Sequence, residues 1–111
     1  MFKTEIRFDR SILEAEGYDY EHAMNLLCEN FKRAGFIEEL NEEAHLIFRG
    51  TDSPKDLSYF GLIYEALLDQ QWFKNCVTEW LLFSNNCVGS NGFECVGDFI
   101  ETGKRLGRWY S

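Results

Sequence analysis

Residues 2–9 alternate without a break, with Phe2, Thr4, Ile6 and Phe8 on one side and Lys3, Glu5, Arg7 and Asp9 on the other. A strict period of two demands an extended strand with one buried and one polar face, and the next thirty residues limit how the buried face can be covered. Residues 10–18 read as a loop ending in Gly17. Asp19 then offers an N-cap to a run in which Tyr20, Ala23, Met24, Leu27, Cys28, Phe31 and Ala34 recur at helical spacing. Lys32 and Arg33 suit its last turn and Gly35 its stop. Two short strands are expected at Phe36–Leu40 and Ala44–Arg49, joined by a turn at Asn41, Glu42 and Glu43. The nearby Glu38, Glu39, Glu42 and Glu43 read as a solvated hairpin tip. Ser53-Pro54-Lys55-Asp56 is a capping box with proline at the first helical position. It opens a second helix whose stripe is Leu57, Phe60, Gly61, Tyr64, Leu67 and Leu68, with Gly61 allowing a close approach to the sheet. Gln70–Asn75 reads as a turn, and Cys76–Ser84 as a last strand, apolar on both faces at Trp80–Phe83.

The order is therefore β-α-β-β-α-β, a split βαβ plan. It implies an α+β, ferredoxin-like fold: a four-stranded antiparallel sheet in spatial order 4-1-3-2, with two helices on one face. Residues 85–92 read as a loop. Phe93–Lys104 reads as a short C-terminal helix with Val96, Phe99 and Ile100 inward. With 111 residues the expectation is one domain over residues 1–104 and a tail over 105–111.

Nineteen acidic against eleven basic residues give a net charge of −8, which argues against a fold-wide grip on phosphates and leaves room only for a local basic patch. Aromatic residues make up 16% of the chain. They either fill a core or leave an apolar surface for a protein partner. A strand apolar on both faces needs cover on both. Helices supply one cover and a second copy is the simplest other, so a homodimer is expected. Cys28, Cys76, Cys87 and Cys95 form no C-x-x-C pair and no zinc spacing. They are expected to be reduced thiols in the cytoplasm, and no metal or other cofactor is implied. The start of the chain lacks the apolar segment of a secretory signal, and no apolar run approaches the length of a membrane span.

In the 4-1-3-2 order the first strand is antiparallel to the third, so the end of one lies beside the start of the other. Asp9 is then expected near His45 on the polar face, with Arg7 and Arg49 sharing that face. A carboxylate beside an imidazole orients the ring and supports its charged form. Such a pair can serve as general base and acid in RNA cleavage by the 2′-hydroxyl, with the arginines holding phosphate. The same residues also suit a plain cross-strand pair on a solvated face, and Asp9 with its mate across a dimer suits a divalent cation. His22, in the first turn of a helix, reads as a surface residue. Arg105, Arg108, Trp109 and Tyr110 suit stacking on bases or, alternatively, a packed or frayed terminus.

Four stretches carry a resemblance. Met1-Phe2 leads an alternating strand into Phe8-Asp9. A helix exits through Ala34-Gly35-Phe36. Trp72-Phe73-Lys74-Asn75-Cys76-Val77 enters the last strand, and Asp98-Phe99-Ile100 opens a terminal helix. In this order and spacing, residues 1–104 resemble the virulence-associated protein D (VapD) family, which is related to the CRISPR spacer-acquisition nuclease subunit. The resemblance implies a homodimeric endoribonuclease, in some members a toxin. Where the family has a Gly-Ser-x-Tyr stretch, this chain has Ala44-His45-Leu46-Ile47, and where the family's last strand has Asp and Arg it has Thr78-Glu79-Trp80-Leu81. Two readings remain: a VapD-like endoribonuclease with Asp9 and His45 catalytic and Arg7 and Arg49 on the substrate, or a non-catalytic acidic binding or inhibitor module on the same fold.

Overall fold

A computed structural model describes residues 1–85 and 94–109. Its elements are β1 (Phe2–Phe8), α1 (Arg10–Ala15), α2 (Tyr20–Arg33), β2 (Ile37–Glu42), β3 (His45–Arg49), α3 (Asp56–Leu68), α4 (Gln71–Cys76), β4 (Val77–Ser84), β5 (Glu94–Asp98) and α5 (Phe99–Arg105). The architecture is α+β. One antiparallel sheet runs β2-β3-β1-β4-β5, so the expected 4-1-3-2 order is present and a fifth strand extends it beyond β4.

That fifth strand corrects the four-strand expectation. Residues 94–98 pair with Leu81–Ser84 of β4, and the terminal helix begins only at Phe99, capped by Asp98, whose side chain accepts from the Ile100 and Glu101 amides. Val96 is thus an exposed strand residue rather than an inward helical one. The start of that expected helix at Phe93, the loop at 86–92, Cys87 and Tyr110 lie outside the described residues.

Two more stretches expected to be irregular are helical. Asp9 caps α1 through the Ile12 amide, and Leu13 is fully buried beneath it. A helix of six residues with one buried side chain shows no apolar period, which is why alternation and spacing pass over it. Likewise α4 replaces the turn at 70–75 and buries Trp72, Phe73 and Cys76. The α2 pattern holds: Ala23, Met24, Leu27, Cys28 and Phe31 are its buried residues, and Asp19 caps it through the His22 amide. Gly35 closes it at φ +91°, a left-handed conformation that glycine adopts without strain.

The hairpin is tighter than expected. β2 runs on to Glu42 and pairs it with His45, leaving Glu43 and Ala44 as the turn. Ala44, at φ +55°, donates its amide to the Tyr20 hydroxyl at 2.9 Å.

The packed helices cover one face of the sheet. Phe31 stacks on Phe48 with centroids 4.5 Å apart, and Phe36 on Phe60 at 4.1 Å. Trp80 takes the edges of Phe73 and Phe99, both 5.0 Å away. Most of the aromatic surplus lies here, in a core of fully or nearly buried Phe, Trp and Leu side chains. In α3 the inward residues are Phe60, Ile63, Leu67 and Leu68, with Asp56 buried at its start. Leu57 is exposed, and a Cβ placed on Gly61 meets nothing within 4 Å, so Gly61 is not a point of close approach. The terminal residues fold back: Trp109 is buried against Gly103, and both terminal guanidinium nitrogens of Arg108 bind the Glu65 carboxylate. Trp109 is therefore not available to stack on a base. No helix among the described residues is long and apolar enough to cross a membrane.

Candidate functional site

Among the described residues nothing covers the second face of the sheet, and strand register lays out what it presents. Arg7 lies between His45 and Glu79, Glu5 between Ile47 and Leu81, and Lys3 between Arg49 and Phe83. Each triad results from alternation along β1, β3 and β4, whose other side chains (Ile6, Leu46, Trp80) fill the core.

At the centre of this face His45 Nε2 meets Glu5 Oε2 at 2.5 Å. The two side chains are only 15% and 17% exposed, shielded by neighbours yet reachable from the open side. A carboxylate accepts, so Nε2 is the donor in this contact and Nδ1 is the ring nitrogen turned away from Glu5, a role assigned from the hydrogen bond. Arg7 leans on the same group, with Nη2 3.5 Å from Glu5 and Nε 2.9 Å from Glu79. Arg49 binds Glu39 at 2.8 Å, and Lys3 reaches the same carboxylate at 3.6 Å. Beside Glu5 a depression of about 160 Å³ opens between Lys3, Ile47 and Phe83.

Register places the end of β1 beside the start of β3, as the sheet order predicts: the Phe8 amide donates to the Ala44 carbonyl. The side chains nevertheless part. Asp9 leaves the strand, its amide bonded to the Cys76 carbonyl and its carboxylate to the Ile12 amide at 3.2 Å. The carboxylate bonded to His45 is Glu5, on the polar side of β1. The structure thus brings Arg7 and His45 together, sets Arg49 at the other end of the face, and puts Asp9 at a helix start. Glu5 was legible as a polar-face residue. What sequence alone could not give was which carboxylate reaches His45, since a diagonal neighbour two residues along is as reachable for a long Glu side chain as the directly opposed one.

The glutamate cluster of the hairpin is not simply solvated. Glu39 bridges Lys3 and Arg49, Glu43 binds Arg10, and Glu38 accepts from Asn41. Cys28 and Cys76 are buried free thiols and Cys95 is an exposed one. Burial pushes the Cys76 thiol up to about 11, with the nearby Glu16 adding to the shift. Burial, then Glu38, raises Cys28 as well. Among the described residues no three His, Cys, Asp or Glu side chains gather as a metal-binding set. Comparison with protein-family models, curated proteins and solved structures finds no match to this chain.

Proposed function

We propose that this chain is a VapD-like endoribonuclease that cuts single-stranded RNA on its open sheet face and acts as a homodimer. The observation that carries the reading is the His45–Glu5 contact, shielded but reachable, with Arg7 against it. Glu5 orients the ring and Nδ1 takes the proton of a ribose 2′-hydroxyl. The resulting oxyanion attacks the adjacent phosphorus, the bond from phosphorus to the 5′-oxygen breaks, and that oxygen leaves as a hydroxyl after protonation by solvent. The products are a 2′,3′-cyclic phosphate and a 5′-hydroxyl. Arg7 presents a planar fork of donors suited to the phosphate. Phe83 and Ile47, walling the depression beside Glu5, offer an apolar seat on which a base can stack. The residues in this reading are His45, Glu5 and Arg7, with Arg49 further along the face; Asp9 supports α1 instead of the reaction.

The test is incubation of the purified protein with a labelled single-stranded RNA. Cleavage into fragments ending in cyclic phosphate, unchanged by EDTA, is the expected result. Fragments ending in a 3′-hydroxyl and 5′-phosphate, or cleavage abolished by EDTA, overturn the mechanism.

A second reading has its own observation. Lys3, Arg7 and Arg49 each face a glutamate, so the open face is charge-balanced, with Ile47, Leu81 and Phe83 half-buried among the pairs. That composition suits a protein surface. An acidic binding module is the better reading if the purified protein cuts no RNA.

A further inference from the structure

On the open sheet face the half-buried Ile47, Leu81 and Phe83 lie among charge pairs, so α3 offers the less charged surface for a dimer. Most surface helices carry charge along their outer side. Between Leu57 and Leu68 the one charged side chain of α3 is Glu65, and Arg108 holds it. Leu62 stands 66% exposed, and Ser58 and Ala66, one turn to either side, are small and exposed as well. Gly61 beside them has open space around it. The helix is flanked by Lys55 at the N-cap and Asp69 at the C-cap. Both have the wrong sign for their own helix, since a cation is disfavoured at a helix N-terminus and an anion at a C-terminus.

We propose that a second copy of this chain packs its α3 antiparallel against the first, with the two-fold axis at Leu62; this rests on the proposed homodimer, not on RNA cleavage. The numbering closes on itself. Leu62 meets Leu62, Ser58 meets Ala66, and Lys55 meets Asp69 of the other copy, because each pair is symmetric about position 62. Positions 55, 62 and 69 are heptad-spaced, the repeat of a helix–helix seam, and the seam is about 21 Å long at 1.5 Å per residue. Antiparallel packing repairs both misplaced charges at once. Lys55 arrives at the other helix's C-terminal end and Asp69 at its N-terminal end, each against its opposite. Such an interface is isologous and closes as a C₂ pair. It also lets two molecules of charge −8 meet where their surfaces carry little charge.

Light scattering and sedimentation on the full chain test this. Wild type should run at twice the 13.0 kDa chain mass. Leu62→Glu, at an exposed position, should fold normally by circular dichroism and run as a monomer. Lys55→Glu and Asp69→Lys should each weaken the dimer roughly tenfold, while the double reversal in one chain should restore it, because the pair is re-formed with its signs exchanged. A wild type that is monomeric at tens of micromolar overturns the dimer itself. A dimer indifferent to Leu62→Glu but broken by Phe83→Glu overturns this surface and assigns the pairing to the sheet face instead.

Discussion

Tyr64 carries a hydroxyl shut off from solvent with no hydrogen-bond partner among the described residues. Its ring lies 5.1 Å from Trp80 and 4.8 Å from Phe99, so the aromatic packing is satisfied and the oxygen is not. A buried hydroxyl left unpaired costs about 1 kcal/mol or more. Tyr64→Phe keeps the ring and removes the orphan, and it should raise stability by about 1 kcal/mol in urea unfolding. Cys76 makes a prediction of the opposite kind. Its thiol ionises near 11 in the folded chain against an ordinary 9.0. Between those values the unfolded chain has lost a proton that the folded chain keeps, so unfolding releases a proton and stability falls as pH rises through that window. Below pH 9 the contribution is constant. The same burial predicts that in the native protein at pH 8 a thiol reagent modifies exposed Cys95 while Cys76 and Cys28 react only on unfolding.

Among the elements, α3 shows how one glycine fixes a helix start. Asp56, 3% exposed, turns its carboxylate back onto the Ser53 amide, and the Ser53 hydroxyl accepts from the Lys55 amide. A Cβ on Gly50 would stand 2.3 Å from Asp56 Oδ2, while the Gly50 amide is tied to the Phe2 carbonyl at 2.8 Å. Neither side can move without breaking β1 or the capping box, so Gly50→Ala should cost about 2 kcal/mol in chemical denaturation. At α1 the corresponding test separates capping from chemistry. Asp9→Ala should cost about 1 kcal/mol, whereas Asp9→Asn, which still caps, should cost little. The long elements were legible because each shows its period over several turns or pleats: α2 from Asp19 to Gly35 and β1 from its unbroken alternation. Ser53-Pro54-Lys55-Asp56 marked the entry to α3 but set its start two residues early, since the helix begins at Asp56 with Lys55 at its N-cap. What escaped was short or depended on partners. α1 and α4 are six residues each, too short to show a period; α1 buries only Leu13, whereas α4 buries four of its six residues in a stretch too brief to be told from a turn. β5 is exposed at Glu94, Cys95 and Val96, and an edge strand with no buried face gives alternation nothing to mark. Within the site, the polar face with Arg7, His45 and Arg49 could be read from alternation. The exchange of Asp9 for Glu5 could not, because it turns on Asp9 ending its strand as a helix cap.

For the whole molecule, the consequence of this layering is a division of labour between two sides. Helices, aromatic rings and the packed Trp109 occupy one side of the sheet. The other holds a charge-balanced lattice with His45 and Glu5 at its centre and a shallow apolar seat beside them. The proposed pairing through α3 would leave that lattice uncovered on both copies, so each would keep its own face for the proposed activity. The proposed activity stands or falls on the central pair. Initial rates of single-stranded RNA cleavage should therefore be compared for wild type, His45→Ala, Glu5→Gln and Asp9→Asn, each checked for native circular dichroism. His45→Ala and Glu5→Gln should each lower the rate by about 100-fold or more, while Asp9→Asn should stay within about twofold of wild type, since its cap is retained. Full activity in His45→Ala, or loss of activity in Asp9→Asn with the other two unaffected, would contradict the assignment.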